Sequence, residues 1–179
     1  YRIIHLLDSG VAPDKITAVT FTNKAAGELQ ERLLAHYKNK KMLKRMRIGT
    51  FHSLALRTLR ENGANITIID EYAAQTLADE ALKEQNINMS AKTFLRELSR
   101  QKNGAESELS PQLIECYQQK LAAYQAADFD DILLNALTLA TDDPNYGKGT
   151  HLLVDEFQDI NELQLRLIEA WAKRADSLF

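Results

Sequence analysis

The chain alternates between short apolar runs and longer stretches in which apolar residues return every three or four positions. Ile3, Ile4, Leu6 and Leu7 mark an amphipathic helix that closes near Gly10. Residues 16–21 (ITAVTF) are β-branched and aromatic without a clean polar alternation, the pattern of a strand buried on both faces. Thr22 and Asn23 stand where a helix cap belongs. Ala25, Leu29 and Leu33, flanked by Ala26 and Leu34, then form the stripe of a helix. Residues 47–49 predict a second short strand, 51–60 a helix built on Leu54, Leu56 and Leu59, and 66–69 a brief extended piece.

From residue 70 to 128 strand patterns give way to helical ones, near 71–85, 91–101 and 111–126. The last has Ser110 as cap, Pro111 at the first helical position, and Leu113, Tyr117 and Leu121 at four-residue spacing. The stretch reads as a helical lobe inserted into an α/β domain, or as a helical elaboration of that domain. A helix with Ile132, Leu133, Ala136 and Leu137 runs from Phe129 to about residue 140. The turn-rich segment 141–150 (TDDPNYGKGT) leads to an apolar strand, 151–154 (HLLV). Asn161 and Gln164 form a capping pair for a helix carrying Leu165, Ile168 and Trp171. Strand, helix, strand, helix in this order predicts a parallel sheet with crossover helices. A helix beginning at Tyr1 without lead-in, and a new strand opening at 176–179, read as a piece of a longer protein.

Composition changes this picture little. Apolar residues make up 45% and charged residues 26%, as in an ordinary soluble globular protein. No apolar run reaches the roughly 20 residues of a membrane span, and no signal-peptide pattern is present, so a cytoplasmic location is expected. The single Cys116 excludes an internal disulfide, and His5, His36, His52 and His151 lack zinc-like spacing. Charge adds an asymmetry: residues 1–60 hold 12 Lys/Arg against 4 Asp/Glu, and the remainder 10 against 21. The densest basic run, Lys38, Lys40, Lys41, Lys44, Arg45 and Arg47, either attracts phosphates or is a solvated helix end and loop.

The sharpest chemistry is 152–159 (LLVDEFQD), an apolar strand that delivers two adjacent carboxylates at its C-terminal end. That edge is where open α/β sheets bind ligands. Neighbouring residues point to different sides, so Asp155 is expected to hold Mg²⁺ and Glu156 to orient and deprotonate an attacking water. Gln158 and Asp159, one turn on, are placed to sense a γ-phosphate. The competing reading is a polar loop after a buried strand. No G-x-x-x-x-G-K-[S/T] phosphate loop occurs in residues 1–179.

Three segments together resemble the superfamily 1 DNA helicases of the UvrD/Rep/PcrA kind. They are 18–33 (AVTFTNKAAGELQERL), 48–60 (IGTFHSLALRTLR), and the pair 128–134 (DFDDILL) with 151–164 (HLLVDEFQDINELQ). The resemblance implies a RecA-like P-loop NTPase parallel sheet: domain 1A over 1–64 and 128–179, with a helical subdomain 1B inserted over 65–127. It implies an ATP-dependent 3′→5′ translocase and helicase acting on single-stranded DNA and 3′-tailed duplexes. Walker A would precede Tyr1, and a second RecA-like domain with its arginine finger would follow Phe179. It carries over Asp155 as the Mg²⁺ ligand and Glu156 as the general base. Phe21, Thr22 and Asn23 match a first DNA-contacting strand end, and Thr50, Phe51 and His52 a second. An aromatic at either strand end stacks on a base or belongs to the core. The fragment alone is expected to be inactive. Two rivals remain at this level: a nucleic-acid-binding module that has lost its motor, and a protein-interaction scaffold built on the helical lobe.

Overall fold

The computed structural model describes residues 2–143 and 145–179; Tyr1, and Pro144 of the turn-rich segment, lie outside the described residues. Helix α1 (Arg2–Asp8) leads through a short turn into strand β1 (Ile16–Thr20), followed by α2 (Asn23–Tyr37), α3 (Lys40–Arg45), β2 (Arg47–Thr50) and α4 (Phe51–Glu61). Strand β3 (Thr67–Ile68) precedes α5 (Glu71–Glu84), α6 (Ala91–Lys102) and α7 (Pro111–Ala123), and β4 (Ala126–Ala127) follows them. The chain ends with α8 (Phe129–Asp142), β5 (His151–Val154), α9 (Glu162–Ala172) and β6 (Ser177–Leu178).

The main sheet has the order β2-β1-β5-β6, with every pairing parallel. Strand alternation splits its side chains between two cores. Ile16 and Ala18 of β1 join Ile3, Leu6, Leu33 and Met46 on the face covered by α1 and α2. Val19 of β1 and Leu152 of β5 join Leu54, Ile132, Leu133, Leu163 and Leu167 on the face covered by α4, α8 and α9. Both faces are therefore buried, as the run 16–21 predicts.

Helices α5, α6 and α7 enclose a third core of Leu77, Phe94, Leu98, Leu113, Tyr117 and Leu121. Within it Phe94 and Tyr117 meet edge to face, centroids 5.4 Å apart. Its entry and exit strands pair in parallel, Thr67 opposite Ala126 and Ile68 opposite Ala127. Strand β4 departs from the expected helix to residue 126. The helix stops at Ala123, and Gln125 takes a left-handed φ of 49° that turns the chain into the strand.

The basic run begins at a helix end, one of the two readings open to it, and continues into a separate short helix. Lys38 ends α2 in a left-handed conformation, and Asn39 caps a separate short helix by accepting from the Met42 N–H at 3.0 Å. The 15 residues of α2 carry the chain about 22 Å back across the sheet. Helix α3 thus sits at the edge where the strands begin, with Arg45 paired to Asp14 at 2.5 Å. The positive charge of this run does not flank the strand ends at 21–23 and 50–52.

Candidate nucleotide and nucleic-acid site

Parallel register brings the three singled-out segments to one edge of the sheet. Thr20 lies opposite Thr50, and Val19 opposite Val154. The Asp155 N–H donates to the Val19 carbonyl at 2.9 Å, extending the ladder one residue past β5. Adjacent strands are about 4.8 Å apart, so the ends of β2, β1 and β5 form one continuous rim.

Asp155 is exposed there and helps line a cavity of about 620 Å³, together with Thr20, Ala25, Glu28, Arg32 and Phe179. Glu156 leaves the strand direction abruptly, at φ 52° and ψ 48°. A non-glycine residue held there costs about 1 kcal/mol or more and persists only where its surroundings impose it. The bend separates the two carboxylates and starts a single 3-10 turn, Phe157–Asp159. Gln158 Nε2 donates to Glu156 Oε2, and the Asp159 N–H donates to the Glu156 carbonyl at 3.0 Å. Glu156, Gln158 and Asp159 thus form one exposed polar turn. Among the described residues no group of three or more His, Cys, Asp or Glu converges as a metal cage. Mg²⁺ usually needs only one or two carboxylates, with water and phosphate oxygens completing its shell, and the exposed Asp155 fits that donor set.

The aromatic strand ends divide. Phe21 is 45% exposed, on the loop between β1 and α2. Thr22 spends its hydroxyl as the α2 cap, accepting from the Ala25 N–H at 3.1 Å, and Asn23 opens that helix on the exposed side. Thr50 likewise caps α4 by accepting from the Ser53 N–H at 3.3 Å. Phe51 departs from the expected base-stacking position: it is 2% exposed and stacks nearly parallel to Trp171 of α9, centroids 6.4 Å apart. The first turn of α4 faces α8 and α9, so the ring enters the core and has no face free for a base.

His52 stacks instead on Phe129, the first residue of α8, with centroids 3.6 Å apart and planes 19° from parallel. Phe129 is 60% exposed. Burial pushes the His52 imidazole below its ordinary pKa, opposed by the nearby Asp130 carboxylate, and His52 Nε2 is buried without a hydrogen-bond partner. Phe129 is the aromatic that sequence reasoning missed. The available signal was an apolar residue set among the acids of DFDD, off the buried stripe of Ile132, Leu133 and Ala136.

A parallel sheet covered by helices on both faces, with acidic residues beyond a buried strand and a helical insertion, is the architecture of a RecA-like P-loop NTPase domain. The family described as UvrD/REP helicase N-terminal domain matches residues 1–179, and the chain belongs to it. An ATP-dependent DNA helicase PcrA of Leuconostoc citreum is 32% identical over 99% of this chain and 27% of its own length. Proteins of the same name from Staphylococcus aureus strain Mu50 and from Staphylococcus epidermidis are each 30% identical over 99% of this chain and 28% of theirs. The chain thus spans little more than a quarter of the length of these curated relatives. No helix among the described residues is long and apolar enough to cross a membrane.

Proposed function

We propose that the protein carrying this chain is an ATP-dependent helicase that moves 3′→5′ along single-stranded DNA and opens 3′-tailed duplexes. The chain supplies domain 1A from residues 1–64 and 128–179, and subdomain 1B from 65–127. The observation that carries this reading is the convergence of Asp155 and Glu156 with Phe21 and the His52–Phe129 stack on one rim of a parallel sheet. Hydrolysis and strand contact then share a rigid support, so a change at the nucleotide reaches the DNA through two strand spacings.

ATP binds between this domain and a second RecA-like domain of the same protein. Asp155 would hold Mg²⁺, and the ion when bound would supply charge neutralisation for the phosphates. Glu156, turned out of the strand direction, accepts a proton from the attacking water. Gln158, hydrogen-bonded to Glu156, and Asp159 on the same turn respond to the γ-phosphate. On the DNA side Phe21 stacks on a base, an interaction worth about 1–3 kcal/mol, and Phe129, backed by His52, offers a second stacking face. Asn23 and the backbone beside Thr22 and Thr50 face the strand. Phe51 supports the rim from within through Trp171.

Replacing Glu156 with Gln in the whole protein tests the assignment. Nucleotide binding survives and ATP hydrolysis is lost. Near-normal turnover of Glu156→Gln overturns the role of Glu156 and with it the motor reading.

A further inference from the structure

The four residues Asp128–Asp131 meet the end of α6 in one compact joint. Asp128 and Asp131 form the capping box of α8: the Asp131 N–H donates to Asp128 Oδ1 at 3.0 Å, and the Asp128 N–H to Asp131 Oδ2 at 3.3 Å. Each carboxylate thus keeps one oxygen free of the cap, and Lys102 takes both. Its ammonium lies 2.6 Å from Asp128 Oδ2 and 2.6 Å from Asp131 Oδ1, with the side chain 8% exposed. Asn103 donates from Nδ2 to Asp130 Oδ1 at 3.0 Å and to the Ser99 carbonyl at 2.8 Å. Gly104 follows at φ 93°, with the carboxylate of Glu162, the first residue of α9, lying where its Cβ would stand. The hydroxyl of Tyr117 is also buried, without a partner, and Asp128 and Asp131 add to the burial that holds its proton in place.

The three carboxylates of this quartet are therefore engaged by α6, while its fourth member, Phe129, lies on His52. The capping box depends on Lys102, because two neighbouring carboxylates sheltered from water repel each other unless a cation stands between them. Loss of that cation loosens the first turn of α8, where Phe129 sits.

We propose that Lys102 is a positioning residue for single-stranded DNA binding: it clamps the helical lobe to the start of α8 and thereby fixes the Phe129–His52 pair. Lobe attitude and the DNA face then change together, with Lys102 touching neither nucleotide nor DNA. The inference rests on the DNA reading given above for its functional half; its structural half stands on the joint alone.

The test uses the whole protein with Lys102→Met and Lys102→Arg, and Phe129→Ala as a control. The DNA concentration for half-maximal stimulation of ATP hydrolysis, by oligo-dT, is read beside the turnover without DNA. Amide hydrogen exchange is followed at residues 51–54 and 128–133. Lys102→Met raises the half-saturating DNA concentration about tenfold, the equivalent of one weakened base stack. Exchange in both segments accelerates, turnover without DNA stays within about twofold, and Lys102→Arg restores most of the loss. Unchanged exchange at 51–54 and 128–133 overturns the proposal, as does a loss of turnover without DNA in proportion to the loss of DNA response. If Phe129→Ala leaves the DNA response intact, the DNA reading has failed, and exchange alone then decides whether Lys102 positions the pair. Should Lys102→Met not fold, Lys102→Met/Asp131→Asn removes one of the two carboxylates left without a cation, and with it their mutual repulsion, and is judged by the same outcomes.

Discussion

Phe21 and Phe51 occupy equivalent places, each directly after a strand of the same sheet and each followed by a polar residue, yet their substitutions should fail in opposite ways. Phe21 is half exposed and makes no contribution to the buried clusters, so Phe21→Ala should change stability by less than about 0.5 kcal/mol. On the proposed DNA contact its loss should remove one stacking platform for a base, about 1–3 kcal/mol, and weaken single-stranded DNA binding about 5- to 150-fold. Phe51 lies in the core against Trp171, Leu54 and Leu133. Truncating a buried phenylalanine costs about 3–5 kcal/mol through lost transfer energy and the cavity left behind. In a domain of this size that lowers the melting temperature by about 10 °C. Thermal unfolding followed by circular dichroism gives the first quantity. Fluorescence titration with labelled oligo-dT at two salt concentrations, corrected for folded fraction, gives the second. A Phe51→Ala variant that melts normally and loses DNA affinity would refute the division, as would a Phe21→Ala variant that melts early and binds normally.

Further expectations follow from the same geometry. Glu156→Gly relieves the left-handed backbone and should raise stability by about 1 kcal/mol, read as a higher melting temperature, while ATP turnover is lost. Thr50→Ala removes the α4 cap and should cost about 1 kcal/mol in denaturant unfolding; a neutral result would mean the cap is satisfied elsewhere. Because burial holds the His52 pKa below its ordinary 6.5, the unfolded chain takes up a proton there that the folded chain refuses. This contribution is therefore full above about pH 6.5 and is lost as pH falls toward the lowered folded value. His52→Phe should flatten the acid side of the stability–pH curve by that amount, and an unaltered curve would remove His52 from the account.

The elements read from the sequence were those whose signal is local. Residues 16–21 and 151–154 declare buried strands by their short β-branched or apolar character without a clean polar alternation, and Ser110 with Pro111, or Asn161 with Gln164, declare helix starts by local capping chemistry. Strand β4 was not readable, because Ala126 and Ala127 carry no β preference and become a strand only by pairing with Thr67 and Ile68. The fate of Phe51 was equally hidden, since it is settled by Trp171 on the last long helix. The acidic strand end was legible because a buried strand leaves its following residues only one place to emerge. Phe129 and Lys102 were missed for the opposite reason: each takes its meaning from a partner on another element, His52 for one and the Asp128–Asp131 box for the other. The distance of α3 from the rim shows why a count of charges along the chain misleads: a helix of moderate length moves its far end to the other side of the molecule.

The pairing of β3 with β4 has a consequence for how this architecture varies. Thr67 and Ala126 stand side by side in the ribbon, about 4.8 Å apart, a gap that a loop of two or three residues bridges. Everything between them is therefore removable or exchangeable without re-threading the main sheet. A shortened variant joined across that gap should keep the strand ends of the main sheet in place while releasing the start of α8 from Lys102, which makes the ribbon a natural graft point for helical attachments that set the Phe129–His52 pair differently.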